Sequence, residues 1–346
     1  MTVKVGIVGL GKMGLLHAGI LNALPESSVS SIAEKEGTLS KFAKKLLPGV
    51  RFYSNVGDML CHEELDAVYV TTPISSHLPI MEHIVSSEKK PGVFVEKPLA
   101  GNYRDASRLH GLASSRGLLS MVGFQKRFSP IFQRARSMLA EGILGEVTSF
   151  AAYSYVSGMF SEGKGWRFKA GQGGALLDLG PHLIDLLMWY FGEPIDIKGS
   201  TRSTYSKEVD DSAQGTLRFR TGLVGSFDVS WSVEGYRLPE IGISVTGRNG
   251  MLRVTDDYLK VELSSESAGM KAGKHHFQKP EFNSGVDFLI GDPEYCIEDR
   301  YFIECILHHK FPEPDFLAGS KVNMIVDEIH NSTLGTGTLQ SFESSY

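Results

Sequence analysis

The chain is poor in cysteine, has no long apolar run and carries no excess of positive charge. Cys61, Cys296 and Cys305 are the only cysteines in 346 residues. Their odd number and wide, unzinc-like spacing argue against a secreted disulfide framework and for a reducing compartment. No apolar stretch approaches the ~20 residues that span a bilayer. Met1-Thr2-Val3-Lys4-Val5 runs straight into a strand pattern, without the charged, apolar and small-residue regions of a secretory leader. The expected location is the cytoplasm, with no membrane partner. A formal charge of -5 with scattered Lys and Arg leaves no stripe for a phosphate backbone, so nucleic acid is not an expected partner. Internal repeats and low-complexity tracts are missing too.

What is present is ordinary globular material, 42% hydrophobic and 22% charged, enough for two cores at about 100–200 residues per domain. Val3 to Val8 reads as a buried parallel strand, followed at once by Gly9-Leu10-Gly11-Lys12-Met13-Gly14 and an amphipathic helix through Leu24. In that context GxGxxG marks a dinucleotide site. The first glycine permits the tight turn, the second admits pyrophosphate to the backbone, and the third lets helix pack on strand, with free N–H groups at the helix start. Val29 to Ala33 forms the second strand and ends in Glu34, about 20 residues past the last glycine, where a carboxylate reads ribose hydroxyls. That favours NAD over NADP. Lys35 could turn toward a 2'-phosphate, but Glu34 would repel it.

Strand and helix patterns go on alternating through Phe52-Tyr53, Val56 to Cys61, Asp66 to Thr71, Ser76 to Ser87 and Val93 to Val95. The ligand crevice of such a sheet lies at the carboxyl ends of its strands. Thr71, Thr72, Pro73 and His77 occupy one such end; Glu96, Lys97 and Pro98 occupy another. Proline restricts Lys97 to extended backbone and admits a cis bond.

The stretch Gly173 to Asp185 organises the remainder. With its second half helical, Asp178, His182 and Asp185 stand at i, i+4 and i+7 on one face, where Asp178 can fix the tautomer of His182 and make it a general base. Asp185 falls almost two turns away and reads as structural. The same pattern fits a buried amphipathic helix with a satisfied histidine. It also fits a pair of metal ligands, although no further ligand cluster is near in sequence and no metal is expected.

These motifs together resemble the Gfo/Idh/MocA oxidoreductases, the family of glucose-fructose oxidoreductase and inositol dehydrogenase. The resemblance covers Gly9 to Gly14 with Glu34, Thr72-Pro73 with His77, Glu96-Lys97-Pro98, Gly123 to Phe128, Trp166-Arg167 and Gly173 to Asp185, in the family's order. It implies an α/β plus α+β protein: a Rossmann domain over residues 1–124, and over 125–346 a substrate domain with an open, mostly antiparallel sheet often used for oligomerisation. It also implies that Lys97, Asp178 and His182 contact the reacting hydroxyl, with Arg127, Trp166 and Arg167 nearby. The implied cofactor contacts are Gly9, Gly11, Lys12, Met13, Gly14, Glu34, Thr71, Thr72, Pro73, His77, Glu96, Lys97 and Gln125. Lys126 departs from the arginine of many relatives, which bears on the contacts beside Arg127.

In the second half, Ser129 to Glu141 reads as a helix ending at Gly142 and Gly145, and Val147 to Tyr155 as a strand. Gly158 to Gly174 reads as a substrate loop or a plain surface loop. Hairpins are expected over Ala213 to Val233, and from Ile241 through Asn249-Gly250 to Leu263. Phe227, Val229 and Trp231 share one face of their strand and need either helices or a second subunit to cover them, so a homodimer or homotetramer is expected. Ser264 to Asn283, with His275-His276, reads as a mobile excursion. Tyr301 to His309 and Lys321 to Leu334 read as closing helices.

The expected activity is an NAD-dependent dehydrogenase or reductase that moves a hydride between nicotinamide and a secondary alcohol of a sugar, cyclitol or sugar derivative. His182 is the base, Asp178 its partner and Lys97 a donor to the developing alkoxide. The resemblance leaves two alternatives open. One is an NAD-dependent glycosidase working by transient oxidation and elimination; the other is a non-catalytic ligand sensor.

Overall fold

The computed structural model describes residues 2–158, 160–161, 163, 165–282 and 292–335. Two sheets divide it. The first half alternates β1 (Val3–Val8), α1 (Lys12–Ala23), β2 (Ser27–Ala33), α2 (Gly37–Leu46), β3 (Arg51–Tyr53), α3 (Val56–His62), β4 (Ala67–Val70), α4 (His77–Ser86), β5 (Gly92–Glu96), α5 (Tyr103–Arg116) and β6 (Ser120–Gly123). The strands lie in the order β3-β2-β1-β4-β5-β6, and every neighbouring pair is parallel. β4, β5 and β6 are buried along their whole length, as an interior parallel sheet requires. The order changes direction beside β1, which opens the crevice at the carboxyl ends of β1 and β4.

The second half holds α6 (Pro130–Ala140), β7 (Val147–Tyr155), α7 (Ala175–Asp178), α8 (Gly180–Phe191), β8 (Pro194–Arg202), β9 (Ser212–Phe219), β10 (Val224–Ser230), β11 (Glu240–Gly247), β12 (Gly250–Thr255), β13 (Tyr258–Leu263), β14 (Gly273–Gln278), α9 (Pro293–Leu307) and α10 (Phe316–Gly335). Its eight strands run β14-β13-β12-β11-β7-β10-β9-β8. All pairings are antiparallel except that of β10 with β7. Alternation along β10 points Phe227 and Val229 inward, and both are buried together with Trp231 just beyond the strand. Helices of the same chain already cover that face. The need for a second subunit therefore does not arise from these three residues. The opposite face carries Ser226 and Asp228 of β10 and Tyr153 and Tyr155 of β7, in register.

Three further expectations change. Ser264 to Asn283 is not an irregular excursion: Gly273–Gln278 forms the edge strand β14, with His276 opposite Lys260 and His275 opposite Val261, while Asn283 lies outside the described residues. The helix expected from Tyr301 begins at Pro293, where proline suits the first helical turn. The chain division at 124/125 marks the end of the parallel sheet, but α9 returns to it. Phe302 and Ile303 of α9 share one buried cluster with Val5 and Ile7 of β1, Tyr69 of β4 and Phe94 of β5.

Candidate active site

The glycine turn is built by close contacts. Gly9 has φ +95°, and a Cβ there would stand 2.6 Å from Cγ2 of Thr72. A Cβ on Gly14 would stand 2.1 Å from the Gly9 carbonyl oxygen, so the helix could not start so near the strand with any larger residue. Gly11 is different: among the described residues nothing lies within 4 Å of its would-be Cβ, and no side chain caps the helix start there. The open space and the free N–H groups of Lys12 and Met13 fit a pyrophosphate.

Glu34 closes the turn from β2. Its Oε2 accepts the Leu10 amide at 2.6 Å and its Oε1 the Glu36 amide at 2.7 Å. A carboxylate has about four acceptor directions, so two remain for ribose hydroxyls. Thr71 Oγ1 donates to the Gly9 carbonyl at 2.8 Å. Ser76 Oγ donates to Thr72 Oγ1 at 2.7 Å, and Pro73 is exposed beside them.

His77 joins this loop to the next. Its Nε2 is 3.0 Å from the Thr72 carbonyl and its Nδ1 3.0 Å from the Leu99 carbonyl. Burial lowers its pKa against the pull of the two carbonyls, and a neutral ring can donate to one of them at a time. It acts as a buried strut between the loops after β4 and β5. Lys97-Pro98 in the second loop is a cis peptide.

Lys97 leaves the crevice floor toward the C-terminal half. Nζ donates to the Asp178 carbonyl at 2.8 Å and stands 3.5 Å from Asp178 Oδ1. The Arg167 guanidinium is 3.9 Å from the same Oδ1 and 5.5 Å from the Trp166 ring, with both residues exposed. The loop from Gly158 to Gly174 thus brings Arg167 to Asp178; residues 159, 162 and 164 of it lie outside the described residues. At its end, Gly174 has φ +112° and a Cβ there would meet Asp210 Oδ1 at 2.4 Å. Asp210 Oδ2 accepts the Leu176 amide at 2.7 Å and holds the start of α7.

The expected partnership of Asp178 with His182 is corrected. Asp178 ends α7 and His182 lies in the first turn of α8, on the far side of a break at Leu179. The Asp178 carboxylate turns to the cations Lys97 and Arg167. His182 is buried, and among the described residues its Nδ1 has no hydrogen-bond partner. Burial, then the charges of Lys97 and Lys126, holds its pKa well below the ordinary 6.5. The imidazole is neutral and able to accept a proton. Phe124 packs its edge near the ring, at 6.3 Å between centroids.

The residues between the halves are committed to ion pairs. Arg127 grips Asp185 with two bonds, Nε to Oδ2 at 2.8 Å and Nη2 to Oδ1 at 2.6 Å, which gives Asp185 the structural place expected for it. Lys126 bonds Asp256 and lies 3.2 Å from Glu294 Oε1. Gln125 is buried and donates to Tyr295 at 3.1 Å. The Glu96 carboxylate faces inward, to His17 at 3.0 Å and to the Lys97 amide at 3.1 Å. Its partner His17 belongs to none of the sequence motifs, and only the helical spacing that buries it was available to mark it.

Family models cover both halves: an NAD-binding Rossmann model of the oxidoreductase family over residues 3–124, and a GFO/IDH/MocA C-terminal domain model over residues 132–253. The chain belongs to the Gfo/Idh/MocA oxidoreductase family. It is 24% identical to scyllo-inositol 2-dehydrogenase (NAD(+)) of Bacillus subtilis, over 90% of this chain and 88% of that one. It is 27% identical to rhizopine catabolism protein MocA of Rhizobium meliloti, over 58% of this chain and 61% of that one. Against three relatives the chain spans only 54% to 61% of their length. A solved levoglucosan dehydrogenase, in complex with NADH and levoglucosan, shares the fold with TM-score 0.87 at 24% identity, over 97% of this chain and 98% of that one.

Proposed function

We propose that this member of the family is an NAD-dependent dehydrogenase or reductase acting on a secondary alcohol of a sugar, cyclitol or sugar derivative. The observation that carries the reading is Lys97 set on Asp178 and within electrostatic reach of the buried His182, whose Nδ1 has no hydrogen-bond partner among the described residues. NAD, when bound, supplies the hydride acceptor. The chain's own residues handle the proton. His182 accepts the hydroxyl proton of the alcohol, and the ammonium of Lys97 donates to the oxygen as its negative charge develops. Asp178 holds that ammonium in place, through its carbonyl and its carboxylate. Glu34 selects NAD over NADP, since a 2'-phosphate beside it meets a like charge. Relatives named for scyllo-inositol and levoglucosan support the substrate class.

The test is NADH formation across polyols, inositols, aldoses and anhydrosugars, with NADP run in parallel. Turnover of at least one of them with NAD preferred supports the reading. Equal or better use of NADP removes the role given to Glu34. Release of an aglycone without added NAD would instead favour the glycosidase alternative.

A further inference from the structure

His17 sits in the second turn of α1, fully buried, with a carboxylate on each side of its ring. Nε2 is 3.0 Å from Glu96 Oε1, and Nδ1 is 2.9 Å from both oxygens of Asp299 on α9. An ionised carboxylate only accepts, so engaging both needs two N–H donors, which the imidazolium alone has. Burial opposes that charge, but Asp299 and Glu96 outweigh it and raise the pKa well above 6.5. The second oxygen of Glu96 accepts the backbone N–H of Lys97. A line of contacts therefore runs from α9 through His17 and Glu96 to the backbone of Lys97, whose Nζ meets Asp178.

We propose that His17 is a positioning residue: as an imidazolium clamped between Asp299 and Glu96, it fixes the carboxyl end of β5 and so aims Lys97. This rests on the role given to Lys97 above. The charged and titratable groups around the ring are Glu96 of β5, Tyr69 of β4, and Tyr295, Glu298 and Asp299 of α9. Glu298 is buried, and both its oxygens lack a hydrogen-bond partner among the described residues. Burial raises its pKa well above the ordinary carboxylate range, which keeps it neutral. With Glu298 neutral, the imidazolium faces the carboxyl groups of Glu96 and Asp299; burial raises the Asp299 pKa, and the charge and hydrogen bond of His17 oppose that rise.

The test has two arms that do not need substrate. In protein labelled with ¹⁵N-histidine, both nitrogens of His17 should carry protons near pH ~8, above the ordinary histidine range; a neutral ring at that pH overturns the proposal. The Lys97 amide should exchange with deuterium at least ~10-fold faster in His17→Leu and in Asp299→Asn, and unchanged exchange overturns it as well. A kinetic arm follows. His17→Leu should lose ~10-fold or more in kcat with NAD affinity within ~3-fold, because misplacing a reacting group weakens chemistry before binding. His17→Gln, whose amide can still donate to Glu96, should recover at least ~3-fold of that loss. Leu equal to Gln would make the site one of packing only. If wild type turns over no sugar or polyol, the dehydrogenase reading fails while the first two arms still decide the role of His17.

Discussion

At the scale of single residues, the account turns on His182 and Lys97. Removing a general base or a transition-state donor costs ~10²-fold or more, whereas the cofactor is expected to be held by the glycine turn and Glu34. Lys97→Ala and His182→Ala should therefore lose most turnover while NAD affinity, read by protein fluorescence, changes little. Asp178→Asn should act through Lys97, because no bond joins Asp178 to His182, and should cost less than either. The pH profile adds a check. Oxidation needs a neutral imidazole, and the His182 pKa lies below 6.5, so the acid limb of kcat/KM should fall below that value. Lys97 is the second cause of that depression, after burial, and Lys97→Met should move the limb upward. A limb above 6.5 in wild type would contradict this electrostatic picture. Lys97 and His182 were legible in the sequence because their motifs are local. The turn of Asp178 toward Lys97 was not, since it depends on a contact 81 positions away. His17 was equally hidden, with its two partners 79 and 282 positions distant.

At the scale of elements, two glycines of one turn should respond differently. Gly14→Ala places a Cβ against the Gly9 carbonyl at 2.1 Å, backbone that cannot yield cheaply, and should cost about 1–3 kcal/mol of stability as well as NAD binding. Gly11→Ala meets nothing within 4 Å among the described residues, so thermal stability should hold while NAD affinity falls ~10-fold. Loss of stability in both, or in neither, would contradict the assigned places. α9 gives a second check. Phe302 is fully buried in the cluster under the parallel sheet, so Phe302→Ala should cost about 3–5 kcal/mol by chemical denaturation. The periodic strands and helices of the first half were readable because hydrophobic runs and turns alternate there. α9 was readable only in part. Its buried Glu294, Glu298 and Asp299 break the apolar stripe that marks a packed helix, and tertiary partners account for Glu294 and Asp299.

At the scale of the molecule, two histidines set opposite pH limits on stability. The pKa of His182 is depressed on folding, so stability falls as pH drops below 6.5. That of His17 is raised, so its contribution is complete below 6.5 and is lost as pH climbs through its folded value. Glu298, also raised, contributes a loss that begins as pH climbs past 4.5. Melting temperature should therefore peak no higher than 6.5, and His17→Gln should flatten its alkaline limb. The expectation of a homo-oligomer now rests on the open face of the second sheet, where Val224 and Met251 are exposed level with Ser149 of β7 and Tyr153 and Tyr155 stand further along that strand. Light scattering at micromolar concentration would show a dimer or tetramer if that face pairs and a monomer if it does not. The central claim is that two halves meet to place a neutral imidazole and an ammonium on one alcohol oxygen. It is tested most directly by initial rates of NADH formation on the best substrate of the panel, wild type against His182→Ala at saturating NAD. The account predicts a loss of ~10²-fold or more in the variant; turnover near the wild-type rate would contradict it.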